Sequence, residues 1–206
     1  MTKEILEGIL MLRDAIIPPR TTERLVRLLT LSEFENVARL ENGALPYHDE
    51  RVRALVWEVK YYANRRAALL CGGLLTEPFM EIATDCIGRA LLIPIPMHPT
   101  RRRQRGHNQT EILAKAALAL TGNIFEYAPQ VLARIKNTVP QQGLPQSKRH
   151  TNIAGSMVVL HPKTVHGRVC ILLDDVSTTG ATFAEAKRAL KQAGAQEVVT
   201  VALANS

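Results

Sequence analysis

Aromatic residues are scarce in this chain, at 4% of 206 positions, with one tryptophan, four tyrosines and four phenylalanines. So few rings weigh against a surface built mainly for stacking on bases, although Trp57, Tyr61 and Tyr62 fall close together. Cysteine is scarcer still. Cys71, Cys86 and Cys170 are too widely spaced for a disulfide framework or a Cys-x-x-Cys zinc knuckle, and they read as reduced, mostly buried thiols. His48, His98, His150, His161 and His166 show no ligand spacing, so no structural metal is expected. The longest apolar stretches, such as Leu91 to Met97, are far too short to cross a bilayer. The N-terminus also lacks the basic, apolar, small-residue order of a signal peptide, which makes a cytoplasmic location with no membrane span the default. There is no internal repeat and no low-complexity tract.

What is present has the proportions of a globular protein, 46% apolar and 22% charged. The formal charge of +7 creates a field that attracts anions, whether nucleic acid, phosphorylated metabolites or an acidic partner. Arg101, Arg102, Arg103 and Arg105 fall within five positions, directly after an apolar run. Taken alone, such a cluster is more often a solvated surface loop than a site.

Periodicity divides the chain into a helical front and an α/β remainder. Ile5, Ile9, Leu12 and Ile16 keep helical spacing, Pro18-Pro19 interrupts it, and Leu25, Leu28 and Leu29 resume it, which makes a helical preface to about Glu41. A turn is expected at Asn42-Gly43. Helices are expected from Asp49 to Asn64 and from Arg65 to Leu75, and then a buried parallel strand over Ala90 to Pro96. The arginines read as a loop, Glu111 to Leu120 as a helix, and Asn137 to Gly155 as a long functional loop. A strand over Arg168 to Leu173, a polar turn from Asp174 to Gly180, a helix over Thr182 to Ala193 and a strand over Val198 to Leu203 complete a βαβ unit.

The strongest chemical signal lies in that unit. Cys170 to Thr182 reads as a hydrophobic strand, two acids, and a hydroxyl-rich turn leading onto a helix N-terminus. Free turn amides and the helix dipole suit a phosphate, threonine hydroxyls donate, and Gly180 permits close approach. The acids cannot serve the phosphate itself. Placed just before it, Asp174 and Asp175 can accept hydrogen bonds from vicinal hydroxyls or help hold a divalent metal, so the pair reads a ribose. The plainer alternative is an N-cap by Ser177 or Thr178 with acids that merely suit the dipole.

This run resembles the signature of type I phosphoribosyltransferases, which bind 5-phosphoribosyl 1-pyrophosphate (PRPP), with Ser177 more polar than the residue usual there. Ile93-Pro94-Ile95-Pro96, the arginines, and Arg105-Gly106-His107-Asn108-Gln109 resemble the ComF/GntX competence-associated members. Lys60-Tyr61-Tyr62-Ala63-Asn64 is similar to that family's Lys-Tyr-x-Gly-Asp element, with Ala63 in place of glycine. Arg134, Thr138, Gln141, Arg149 and Asn152 recur at its spacing, and the matches span positions 45 to 204. The chain lacks the four-cysteine zinc module that many members carry at the front.

The resemblance implies a type I phosphoribosyltransferase fold, α/β with a mostly parallel sheet flanked by helices. It divides the chain into a helical extension, 1–44, and a phosphoribosyltransferase-like domain, 45–206. It implies Asp174, Asp175 and Arg105 as catalytic residues, with Asp174 and Asp175 toward Mg²⁺, directly or indirectly. Substrate contacts fall to Ser177, Thr178, Thr179, Gly180, Ala181, Thr182, Lys60, Tyr61, Arg101, Gly106, Asn108, Gln109 and Arg149. The Asn137 to Gly155 loop would close over the reaction. Purine-salvage relatives carry an aspartate where this chain has Thr178, so an acceptor using that acid is not supported, and the acceptor stays open. The rival reading is a non-catalytic DNA uptake or processing protein that uses the fold to bind nucleotide or single-stranded DNA. Competence-machinery proteins and a homodimer are the partners left open.

Overall fold

Six consecutive residues, Cys170 to Asp175, are buried, and a strand buried on both faces needs helices on both sides. The computed structural model describes residues 20–40, 43–86, 88–122, 124–137 and 153–206. In chain order it contains α1 (Thr21–Leu28), a 3-10 turn (Leu31–Phe34), β1 (Leu45–Pro46), α2 (Glu50–Tyr62), α3 (Arg65–Asp85) and β2 (Leu91–Pro94). There follow α4 (Pro99–Arg105), α5 (Gln109–Thr121), β3 (Glu126–Tyr127), β4 (Leu132–Arg134) and β5 (Met157–Val159). The last elements are α6 (Pro162–Val165), β6 (Val169–Ser177), α7 (Ala181–Gln192) and β7 (Glu197–Asn205).

Five strands form one parallel sheet in the order β1-β7-β6-β2-β3, and β4 and β5 pair antiparallel beside it. Alternation along each central strand makes two cores. Leu92, Ile171, Leu173, Val201 and Leu203 face one side with Leu55, Phe79 and Leu113 of α2, α3 and α5. Leu91, Ile93, Cys170, Leu172 and Val198 face the other, with Ala186 and Leu190 of α7 and Met157 of β5. The α/β fold with a parallel sheet flanked by helices is therefore as expected.

The preface residues that are described join the first core through Val26, Leu29 and Phe34. They are held there by Glu58, whose fully buried carboxylate accepts from Arg20 at 3.2 and 2.9 Å, Thr22 at 2.7 Å and Asn64 at 3.0 Å. Arg66 donates to the carbonyls of Val26 and Leu29 and so closes the C-terminal end of α1.

Several boundaries differ from expectation. α3 does not stop at Leu75 but runs to Asp85 through Pro78, because burial of Pro78 and of Phe79, whose ring meets Phe125 edge-on at 5.4 Å, outweighs the proline's lost hydrogen bond. α3 and α5 cross closely at Gly72, where a Cβ would lie 2.7 Å from the Ala116 carbonyl carbon. β6 continues to Ser177, so the two acids are strand residues and the turn shrinks to 178–180. The arginines are not a loop: Pro99 starts α4, His98 caps it, and Gly106 ends it at φ 84. Residues 138–152, most of the expected long loop, lie outside the described residues, as do 1–19 and Asn42.

Candidate functional site

In an open parallel sheet, ligands gather at the carboxyl ends of the strands where the chain order reverses. Here that point lies between β2, which leads outward to β3, and β6, which leads to β7 on the other side. The segments leaving these two strands carry the amides, hydroxyls and guanidiniums of the candidate site. From β6 come Thr178 to Gly180 and the start of α7. Gly180 is the N-cap of α7 at φ 70, with open space where a Cβ would be and no side chain capping the helix. The first-turn amides therefore face a solvent-open depression of about 200 Å³ lined by Asp174, Val176, Ser177, Thr178, Gly180, Ala181, Thr182 and Phe183. The hydroxyl of Thr179 is buried without a partner, a donor waiting for an acceptor. Uncapped amides, a dipole and a hydroxyl make a phosphate cradle.

The acid pair borders the cradle. Asp174 and Asp175 are 9% and 8% exposed, and each spends one oxygen on the next residue's amide, Asp175 and Val176, both at 2.9 Å. Burial pushes the Asp174 carboxyl well up, and the charge of Asp175 beside it adds to the shift. The second oxygen of Asp175 is buried with no partner. Two adjacent buried carboxyls, one carrying an orphan oxygen, offer oxygen donors that a divalent cation fits, completed by ligand oxygens as Mg²⁺ prefers. Among the described residues no group of three or more His, Cys, Asp or Glu side chains could hold a metal by itself.

Across the crevice, Arg101 and Arg105 lie one turn apart on α4 and are half-buried, whereas Arg102 and Arg103 face solvent, where Arg102 pairs with Glu111. Burial, with Arg105 nearby, lowers the Arg101 pKa. Arg134 of β4, outside the expected site set, joins them: its Nε donates to Pro96 O at 3.1 Å. Burial lowers its pKa, with Asp174 opposing that shift and Arg101 adding to it. Only its place in the family spacing marked Arg134 in the sequence.

Some expected contact residues also hold the frame. Asn108 is 3% exposed and caps α5, donating to Ile95 O at 3.1 Å while its Oδ1 accepts from Thr110. Gln109 accepts from Arg105 at 3.0 Å and so aims that guanidinium. The Tyr61 ring lies against Trp57, tilted by 47° at 4.3 Å between centroids, with Arg105 5.2 Å and Lys60 5.6 Å from it. His107 reaches the Val59 and Lys60 carbonyls, which ties the Gly106 turn to the end of α2. Ala63 ends α2 at φ 48, the only non-glycine residue with positive φ among those described, and this explains why the family's element has glycine there. Arg149 lies outside the described residues.

Residues 117–206 match the phosphoribosyl transferase domain family. The chain is 31% identical over 117 residues to Competence protein F of Haemophilus influenzae, covering 56% of this chain and 50% of that one. It is 32% identical over 114 residues to Competence protein ComFC of Streptococcus pneumoniae, covering 54% and 46%. The phosphoribosyl transferase domain match and these competence-protein relatives support the ComF family of phosphoribosyltransferase-type proteins. It is also similar to the DNA utilization protein YhgH of Salmonella typhi, 27% identical over 147 residues, with 70% of this chain and 63% of that protein covered. The chain thus spans about half to two thirds of the length of these ComF relatives. Among solved structures, phosphoribosylpyrophosphate synthetase from Mycobacterium smegmatis overlaps 66% of this chain and 33% of its own at 21% identity and a TM-score of 0.39. Among the described residues no helix is long and apolar enough to cross a membrane.

Proposed function

We propose that the protein binds PRPP with Mg²⁺ and transfers its phosphoribosyl group to an acceptor, with residues 45–206 as the transferase unit and 1–44 as its extension. The observation that carries this reading is the uncapped N-terminus of α7 placed directly after the buried acid pair. A polyanion has no use for two carboxyls at its binding site, whereas a ribose hydroxyl pair and a cation do.

Thr178, Thr179 and Thr182, with the amides of Gly180 and Ala181, hold the 5′-phosphate, and Ser177 lies at its edge. Asp174 and Asp175 hold the ribose hydroxyls and the Mg²⁺, whose charge, when it is bound, offsets that of the departing pyrophosphate. Arg101 and Arg105 face the pyrophosphate from α4, with Gly106 letting the chain turn back and Asn108, Gln109, Lys60 and Tyr61 keeping the two guanidiniums in place. The bond from C1′ to the pyrophosphate oxygen breaks, a bond from C1′ to the acceptor forms, and preorganised arginines stabilise the charge that develops on the leaving group.

Incubating the protein with PRPP, Mg²⁺ and a panel of bases and amines, and measuring pyrophosphate, tests this directly. Acceptor-dependent release, lost in Asp175→Asn, is expected, and no release with any acceptor would overturn catalysis. Arg105→Ala should weaken PRPP far more than ribose 5-phosphate, because only PRPP carries the pyrophosphate that α4 faces. Equal losses would show the subsites to be misassigned.

A second reading, a non-catalytic DNA uptake or processing protein, draws on the names of the relatives and on the exposed Trp57–Tyr61 stack beside Arg105. It expects single-stranded DNA to bind tightly and to compete with PRPP, with no acceptor consumed. A merely basic protein would instead bind DNA weakly and lose it as salt rises.

A further inference from the structure

Large apolar side chains are left uncovered on the outer face of α3. Leu69, Gly73, Thr76 and Met80 succeed one another at intervals of four, three and four residues and so share that face. Leu69 is 50% and Met80 47% exposed. Leu31 of the 3-10 turn reaches the gap between them, its methyls 2.8 and 2.9 Å from where a Cβ would stand on Gly73, yet it is itself 46% exposed. Leu28, the last residue of α1 and also exposed, lies by the start of α3, where Arg66 holds the Val26 and Leu29 carbonyls. Leu28, Leu31, Leu69 and Met80 together make an apolar strip of the kind that seats another apolar surface.

The chain carries a matching strip of its own. Ile5, Ile9, Leu12 and Ile16 repeat at the same four, three and four residues, so both strips span eleven residues, about 16 Å along a helix. The point of entry fits as well. Arg20 and Asn64, the N-cap of α3, share the Glu58 carboxylate, and the Arg20 guanidinium lies 3.4 Å over the Tyr62 ring, so the chain leading into Arg20 arrives at the start of α3. Only Ile17, Pro18 and Pro19 separate Arg20 from Ile16. We infer that residues 5–16 lie antiparallel along the outer face of α3, with Ile16 against Leu69, Leu12 at Gly73 and Leu31, and Ile5 against Met80. The occupant of the strip is this segment of the same chain, and the inference does not depend on the transferase reading.

Hydrogen exchange on the full-length protein reads the contact. The amides of residues 6–17 should exchange about tenfold slower than in an unstructured chain, the protection that burying one leucine-sized side chain supplies. Leu69→Glu with Met80→Glu should return them to the unstructured rate while the amides of β6 stay protected. Ile9→Glu with Leu12→Glu should do the same from the other side, and it decides alone if the α3 variant loses protection in β6. Adding Ile16→Lys to Leu69→Glu should restore the slow exchange and adding Ile5→Lys should not, because only Ile16 faces Leu69. Exchange at the unstructured rate in the parent, or protection that the Ile9→Glu, Leu12→Glu variant leaves in place, would overturn the inference. So would protection that fades on dilution while sedimentation shows a dimer giving way to monomer, which would put a second copy on the strip.

Discussion

Two buried carboxylate centres are built on opposite plans. Glu58 is fully buried and receives four hydrogen bonds from three side chains, so that burial, which alone would push its carboxyl up, is more than reversed and the group stays below the usual carboxylate range. Asp174 and Asp175 are nearly as buried but repel one another, share no arginine hydrogen bond in the contacts described, and leave an oxygen unpartnered. The first centre holds α1 on α2 and the α2–α3 corner. The second withholds its satisfaction until something binds.

That contrast can be broken from either end. Arg20→Ala leaves Glu58 buried with two of its three partners, and should cost about 3 kcal/mol, the low end of the range because Arg20 is partly exposed, or roughly 6–12 °C of melting temperature. Ligand affinity should be unchanged. A melting temperature within a degree of the parent would mean that the preface is not held by this ion pair.

Asp174→Asn combined with Asp175→Asn should do the reverse. The apo protein should melt at or above the parent temperature, because the repulsion is gone. The stabilisation by PRPP with Mg²⁺, about 2.7 kcal/mol at a hundred times Kd, should vanish. An unfolded double variant would show the acids to be structural.

Glu185 sharpens the comparison as a third buried carboxylate centre, 6% exposed, which accepts from Arg188 and from the Met157 amide and so ties α7 to β5. The Arg188 hydrogen bonds hold its pKa down to about 2. A depressed folded-state pKa gives stability that is present above the unfolded value near 4.5 and lost as pH falls through the folded one. Glu185→Gln should therefore cost about 2 kcal/mol at pH 7 and almost nothing near pH 2. Thermal melts across that window check it, and a pH-independent loss would exclude linkage. The smallest expected effect is a gain: Ala63→Gly relieves a left-handed residue at the end of α2 and should add about 1 kcal/mol, read in urea denaturation.

The centre of the sheet was legible because Cys170 to Leu173 and Leu91 to Pro94 are apolar runs closed by acids or proline, and β6, α7 and β2 followed. α4 was not read as a helix because four arginines suggest solvent, although Pro99 and Gly106 already marked its two ends. β3, β4 and β5 are two or three residues long and carry no period to detect. At the candidate site, the threonine turn and the acids were visible as a contiguous run. Arg134 comes from a separate short strand that only the fold brings near Asp174 and Arg101. Asn108 is expected as a substrate contact through its resemblance to the family's pyrophosphate loop, and the fold also makes it the buried cap of α5.

The crossing at Gly72 carries these relations far from any ligand. A methyl group there would strike the α5 backbone at Ala116, and α5 begins with the Asn108 and Thr110 side chains that grip the end of β2. Pushing α5 outward would drag that grip, and with it the guanidiniums of α4, out of alignment with the phosphate turn. A random mutagenesis screen for lost activity should thus return Gly72 alongside residues that touch substrate. Its suppressors should cluster on α5, where a smaller side chain or a slight tilt restores the spacing, instead of in the site itself.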